Sequence, residues 1–263
     1  MLKGAYKTVG IIPARFASTR FPGKPLALIG NKSLIQWTYE NAKQSPSLDL
    51  LLVATDDERI YNHVESFGGR AIMTSPTCPT GTDRLAEVVV NHKIECDIVI
   101  NIQGDEPCLS PAIIDSLVKK LKEERGAVMT TPVVKSYDKE QFLSSSVVKC
   151  AFDFTGKALY FSRAPIAFPR NDRAADNAVK LSFYRHLGVY CFKRDFLLTY
   201  ATLPMTPLQA IEDLEQLKAM EHGYPIHVTV VDDGQPHGIG VDHPEDIKKV
   251  ESILCQPILG ICK

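Results

Sequence analysis

Between residues 8 and 134 short runs of β-branched and aliphatic residues alternate with helical patterns, and few folds accept that order. Residues 8–12 form a β-type run that Pro13 is expected to end. Residues 33–44 predict a helix with Ser33 as N-cap and Gln36 completing a capping box. Residues 50–54 are continuously apolar, as a strand buried on both faces requires. Residues 57–67 read as a helix stopped by Gly68-Gly69. A short strand at 71–74, a helix at 82–92 and a second buried strand at 97–102 follow. A helix over 110–124 has Pro111 at its first position, and 128–134 is strand-like. This alternation predicts an α/β protein with a mostly parallel sheet and helices on both faces. Such sheets bind ligands outside the carboxyl ends of their strands, so the residues just after each strand matter most.

The later part is patterned differently. Residues 147–154 and 157–161 predict two strands joined by a Thr155-Gly156 turn, and 165–178 has no apolar period and reads as an exposed loop. A strand at 188–192 precedes a helix capped by Thr206, begun by Pro207 and running to about Glu221, with Gly223 ending it. A strand at 226–231 and a helix at 244–254 complete the pattern. We expect one domain over residues 1–263, with a β-rich insertion near 145–200 that carries a subunit contact.

The 30 Lys and Arg against 31 Asp and Glu leave a formal charge of −1, which gives no global attraction to nucleic acid or an anionic membrane. No apolar run approaches the about 20 residues a membrane span needs, and the N-terminus does not resemble a secretory signal. Cysteines 78, 96, 108, 150, 191, 255 and 262 include no C-x-x-C pair. They suit reduced thiols in a cytoplasmic protein better than disulfides or zinc ligands.

The first strand feeds a loop, residues 13–26, that carries Arg15, Arg20 and Lys24. Three cations in a turn-rich loop, with the backbone N–H groups of Ala17, Ser18 and Thr19, can surround one polyanion such as a triphosphate. The loop lacks both the Walker pattern and G-x-G-x-x-G. Three solvated surface cations are the plainer reading.

Asp105, after the strand at 97–102 and next to Gly104, is placed as a Mg²⁺ ligand or as an ordinary turn aspartate. Asp242 closes another Gly-punctuated segment before a helix and is the candidate partner carboxylate. Helix capping, which contributes about 1 kcal/mol, is its alternative role. Thr80, Thr82 and Arg84 open a helix whose N-terminus favours anions, with Thr82 otherwise a plain N-cap. Three further clusters suit an acidic, hydroxylated ligand: Phe161-Ser162-Arg163, Tyr184-Arg185-His186, and Glu212, Glu215 and Gln216 as helix neighbours. Arg163 has the fork geometry for a carboxylate and His186 can donate to a hydroxyl, though each also suits a structural role.

In order along the chain, I-I-P-A-R-F-A-S-T-R-F-P-G-K-P-L at 11–26, V-A-T-D-D at 53–57, T-G-T-D-R-L-A-E-V at 80–88, N-I-Q-G-D-E-P at 101–107, A-L-Y-F-S-R-A at 158–164, R-H-L-G-V-Y at 185–190, L-E-Q-L at 214–217 and G-V-D-H-P-E-D at 240–246 resemble the 3-deoxy-manno-octulosonate cytidylyltransferase (CMP-KDO synthetase) family. Phe16, Phe21, Asp83 and Pro165 depart from the residues common there, and 256–263 has no counterpart. The resemblance implies the nucleotide-diphospho-sugar transferase type of fold. It implies CTP and 3-deoxy-D-manno-octulosonate (KDO) as substrates, Mg²⁺ as cofactor, a homodimer, and a cytoplasmic role in lipopolysaccharide synthesis. Arg15, Lys24, Asp105 and Asp242 would then be catalytic, the two aspartates holding the metal. Ser18, Thr19, Arg20, Thr80, Thr82 and Arg84 would join Arg15 and Lys24 around the nucleotide. Gln103, Arg163, His186, Glu215 and Gln216 would orient the sugar acid. A cytidylyltransferase for another acidic sugar or an alcohol, and a nucleotide-binding protein without turnover, are the alternatives.

Overall fold

The structure, a computed structural model, describes residues 5–17, 21–169, 182–231 and 239–254. The chain divides into two compact units, Met1–Asp115 with Pro236–Lys263, and Ser116–Gln235. The second unit is thus wider than the insertion read at 145–200.

The first unit opens with β1 (Ala5–Ala14), a 3-10 turn (Lys24–Leu26), the short strands β2 (Leu28–Ile29) and β3 (Lys32–Ser33), and α1 (Leu34–Ala42). It continues through β4 (Leu50–Thr55), α2 (Glu58–Ser66), β5 (Ala71–Met73), α3 (Gly81–Asn91) and β6 (Glu95–Asn101). β5, β4, β1 and β6 lie side by side, all parallel. Every residue of β4 is buried, as its unbroken apolar run requires. The caps are chemical. Ser33 Oγ accepts from Gln36 N at the start of α1 and Asp57 from Arg59 N at α2. The Gln36 side chain bonds Glu40 instead of closing a capping box.

Pro13 does not end β1. Along a strand, alternate residues turn their hydrogen-bonding groups to the same neighbour. Pro13 therefore shares its side with Ile11, which pairs with β6 at Asn101, the last register position on that side. On the other side the strand pairs with β4 through Ala14↔Thr55. The missing N–H of Pro13 thus costs no ladder bond.

The chain passes along α4 (Pro111–Glu123) into the second unit: β7 (Met129–Ser136), α5 (Lys139–Leu143), β8 (Lys149–Phe152), β9 (Ala158–Ser162), β10 (Phe183–His186), β11 (Tyr190–Lys193), α6 (Arg194–Thr202), α7 (Pro207–Glu212), α8 (Gln216–Glu221) and β12 (Ile226–Val231). Here the sheet is mixed. β12 runs parallel to β7, while β10 and β11 pair with β7 antiparallel and a β10–β8–β9 meander follows. The helix expected over 206–221 is two helices, broken where Asp213 takes a left-handed φ of 50°.

The last helix, α9 (Asp246–Leu254), returns to the first unit and starts two residues later than expected. Its Val250 joins Ile29, Leu34 and Val241 in a buried cluster. That packing fixes the segment carrying Asp242. No helix of the described residues is long and apolar enough to cross a membrane.

Candidate functional site

In the first unit, the loop after β1 is folded back on itself. Gly23 sits at φ 72°, a left-handed conformation that glycine adopts without cost, and its N–H donates to Phe16 O at 2.9 Å. The Phe16 ring covers Gly23, and the Arg59 guanidinium lies 3.3 Å above the ring centroid. This closure delivers Lys24 at the start of the 3-10 turn.

The Lys24 ammonium lies between the two candidate carboxylates. Its Nζ donates to Asp105 Oδ2 at 2.7 Å and stands 3.7 Å from Asp242 Oδ1. The aspartates, far apart in sequence, are held together by backbone: Val241 N–H donates to Asp105 O at 2.9 Å. Val241 is fully buried, so Asp242 is pinned from one side while its own carboxylate stays about half exposed. Gly104 lets the turn approach β1 closely: a Cβ there would meet Pro13 O at 3.0 Å, a tight contact with backbone. Gln103, partly exposed, lies two residues before Asp105 on this turn.

Asp242 lies four residues before α9. From the first residue of that helix the Asp246 carboxylate reaches back and accepts from Asp242 N and His243 N at 2.9 and 2.8 Å, which orders the approach to the helix. Partial burial pushes the Asp246 carboxyl up, but those two N–H groups outweigh it and hold its pKa below the usual value.

Arg15 donates through Nη2 to the carbonyl of Cys78. A carbonyl, unlike a carboxylate, orients the guanidinium without neutralising it. Ser18, Thr19 and Arg20 lie outside the described residues.

The 80–84 segment departs from expectation. The N-cap of α3 is Thr80, in a reciprocal capping box with Asp83, not Thr82. Thr82 is fully buried and accepts from Asn101 Nδ2 at 3.1 Å. Arg84 is also fully buried. It bonds Thr74 Oγ1 through Nη1 and Asp56 Oδ2 through Nη2 at 3.0 Å. These contacts tie the ends of β4 and β5 to α3, so neither side chain lines an open nucleotide surface.

In the second unit the expected sugar-binding residues are engaged mostly with the protein. Arg163 donates from Nε to Glu212 O at 2.6 Å, from Nη1 to Ser145 O at 3.1 Å and from Nη2 to Asp213 O at 3.2 Å. A guanidinium has five N–H groups, and these bonds use three, so its fork is not free as a whole. Glu212 clamps the same segment through Ser162 Oγ and Arg163 N. The break at Asp213 removes the single helix face on which Glu212 was to neighbour Glu215 and Gln216.

His186 is buried, with Nε2 2.8 Å from Thr131 Oγ1. Thr131 has one hydroxyl proton and two carbonyl neighbours, Val189 O at 2.8 Å and Leu187 O at 3.2 Å. Carbonyls only accept, so the hydroxyl donates to one of them and Nε2–H donates to the hydroxyl. Nδ1 is left as an acceptor, the reverse of the donor role expected of His186. Burial pushes the His186 pKa down to about 3, so the ring is neutral at ordinary pH. Gln216 is buried too. Its Oε1 accepts from Tyr190 OH at 2.9 Å, while its Nε2 is buried with no partner among the described residues. A buried amide donor left open is costly and suits a ligand oxygen. Glu215 precedes α8, and its carbonyl accepts from Tyr200 OH at 2.8 Å. Thr131 and Tyr190 escaped the sequence reading, although Tyr190 closes the R-H-L-G-V-Y motif.

Comparison with known proteins places these residues in a family setting. A cytidylyltransferase family model matches residues 9–229. The chain is 51% identical over 248 residues to a 3-deoxy-manno-octulosonate cytidylyltransferase of Chlamydia abortus, covering 94% of each chain. It is 51% identical over 250 residues to that of Protochlamydia amoebophila, again covering 94% of each. A solved CMP:2-keto-3-deoxy-manno-octonic acid synthetase complexed with CTP superposes with a TM-score of 0.87 at 40% identity, over 95% of this chain and 99% of that one. A Leptospira borgpetersenii cytidylyltransferase, TM-score 0.62 at 16% identity over 95% of this chain and 87% of that one, shares the fold.

Proposed function

This chain belongs to the 3-deoxy-manno-octulosonate cytidylyltransferase family, and from that premise we propose how its residues divide the reaction. The enzyme transfers CMP from CTP to KDO and releases pyrophosphate. The anomeric hydroxyl attacks the α-phosphorus in line, and the protein supplies position and charge. Arg15 and Lys24 hold the triphosphate and stabilise charge on the departing pyrophosphate. Ser18, Thr19 and Arg20 continue the same loop. Thr80 and the start of α3 stand on the cytidine side, with Thr82 and Arg84 supporting them from within.

The observation that carries this reading is the Lys24 ammonium between Asp105 and Asp242. Two carboxylates that already converge on one cation are a fit for Mg²⁺, which takes oxygen ligands and usually one or two carboxylates beside substrate phosphates. No group of three or more His, Cys, Asp or Glu side chains converges among the described residues, so CTP and water would complete the coordination. Asp105 and Asp242 would hold the ion. When bound, it supplies charge neutralisation at the phosphate and lowers the pKa of the attacking hydroxyl.

Gln103, Arg163, His186, Glu215 and Gln216 orient the sugar acid. Gln216 Nε2 serves as a donor, His186 Nδ1 as an acceptor, and the two unspent donors of Arg163 serve the carboxylate. We further propose a cytoplasmic homodimer supplying activated KDO to lipopolysaccharide synthesis. Pyrophosphate release with CTP and a panel of sugar acids, with and without EDTA, tests nucleotide, acceptor and metal together. Turnover restricted to KDO and abolished by EDTA is expected; turnover with another acid, or in EDTA, contradicts the proposal.

A further inference from the structure

Arg15 is oriented by the backbone of a turn that is itself held from α3. The Glu87 carboxylate reaches out of that helix and takes two donors from residues 75–78. Its Oε1 accepts from Ser75 N and its Oε2 from Cys78 Sγ, at 2.8 and 2.7 Å. Ser75 Oγ adds a local bond, accepting from Thr77 N at 3.1 Å. One carboxylate therefore spans both ends of the turn, and the Cys78 carbonyl faces the guanidinium of Arg15. The thiol is buried. Burial first, then the bond and charge of Glu87, push its pKa up to about 11, so it keeps the proton it donates.

We infer that Glu87 is a positioning residue for Arg15, acting through the 75–78 turn and the Cys78 carbonyl. This rests on reading Arg15 as a triphosphate ligand. The arrangement has a chemical logic. A carboxylate placed directly on Arg15 would fix it better but cancel the charge the phosphates need. Set behind a neutral carbonyl, the carboxylate fixes the turn and leaves the guanidinium positive.

Steady-state kinetics of the full-length enzyme test this, with thermal melts to confirm folding. Glu87→Ala should raise the KM for CTP about tenfold, the lower end of what losing a supporting bond behind a bound ion's ligand costs. The KM for KDO should stay within about twofold, a split that a general loss of folded enzyme does not produce. Glu87→Gln keeps one acceptor oxygen and should fall between, and it carries the test if the alanine variant does not fold. Cys78→Ala should shift the CTP constant in the same direction, and Cys78→Ser, which keeps a donor, should shift it less. In an Arg15→Ala background, Glu87→Ala should add nothing further, because the two act in series. An unchanged KM for CTP in both Glu87 variants, or a full additive effect without Arg15, overturns the inference. An unchanged KM in Arg15→Ala alone instead overturns the assignment of Arg15.

Discussion

The candidate groups of the two units differ in kind. In the first, the candidate groups are charged, partly exposed and aimed at one another: Lys24 against Asp105 and Asp242. In the second they are buried or half-buried and tied up by the protein itself: Arg163 on three backbone carbonyls, His186 on the Thr131 hydroxyl, Gln216 on the Tyr190 hydroxyl. Phosphates and a divalent ion demand net charge that stays available. Sugar hydroxyls demand neutral groups whose donor or acceptor sense is fixed in advance, and internal hydrogen bonds fix it. Charge in one unit and hydrogen-bond polarity in the other are therefore expected to fail differently when mutated.

The largest effect should fall on the charged side. Lys24→Ala should cut kcat by about a hundredfold or more, on the scale of losing one preorganised charge contact, and raise the KM for CTP with little change in the KM for KDO. Equal changes in both constants would erase the contrast. Next is Arg84→Met, which strips Asp56 of a buried partner. It should cost about 3 kcal/mol of stability in urea titrations and, as a support rather than a ligand, raise the KM for CTP only severalfold; an effect on CTP as large as that of Lys24→Ala would return Arg84 to the nucleotide surface.

A smaller effect should appear with pH. The folded state holds His186 neutral down to about pH 3, against an ordinary pKa of 6.5. Below pH 6.5 the unfolded chain takes up a proton that the folded chain refuses, so stability is full above 6.5 and falls as pH drops. The loss approaches about 1.4 kcal/mol per pH unit for this one group. Burial lowers the His227 pKa as well, which adds in the same sense. Urea midpoints between pH 7.5 and 5 should show the slope, and His186→Gln should reduce it by one proton's worth. An identical slope in that variant would mean His186 is not held neutral. The mildest change is Arg163→Lys, which forfeits the three-carbonyl geometry. It should raise the KM for KDO about tenfold with the KM for CTP unmoved, and a shift in the CTP constant would break the division of labour.

Legibility in the sequence follows the same divide. β4 could be read because a strand buried on both faces is apolar throughout, and α1 and α2 because Ser33 and Asp57 carry their caps in the side chain. α6 could not, since Lys193 caps it with no side-chain bond. β10 has its buried residues at the two ends and no alternation. The break after α7 depends on an aspartate in the left-handed region, which Asp tolerates and no Gly or Pro announces. Arg84 and His186 could be read only as candidate ligand groups with a structural role left open, because burial of a polar side chain depends on partners distant in sequence, Asp56 and Thr131. The meeting of Asp105 and Asp242 was legible only as the expectation that both follow strand-like segments. The backbone bond from Val241 to Asp105 is what brings them together.

The sharing of one ion by those two carboxylates is tested most directly by titrating CTP binding with Mg²⁺ in the native enzyme, Asp105→Asn, Asp242→Asn and the double variant. The account predicts that either single change removes most of the Mg²⁺-dependent gain in CTP affinity and that the double change adds nothing more. A Mg²⁺ dependence that survives in one single variant, or two losses that add independently, would contradict it.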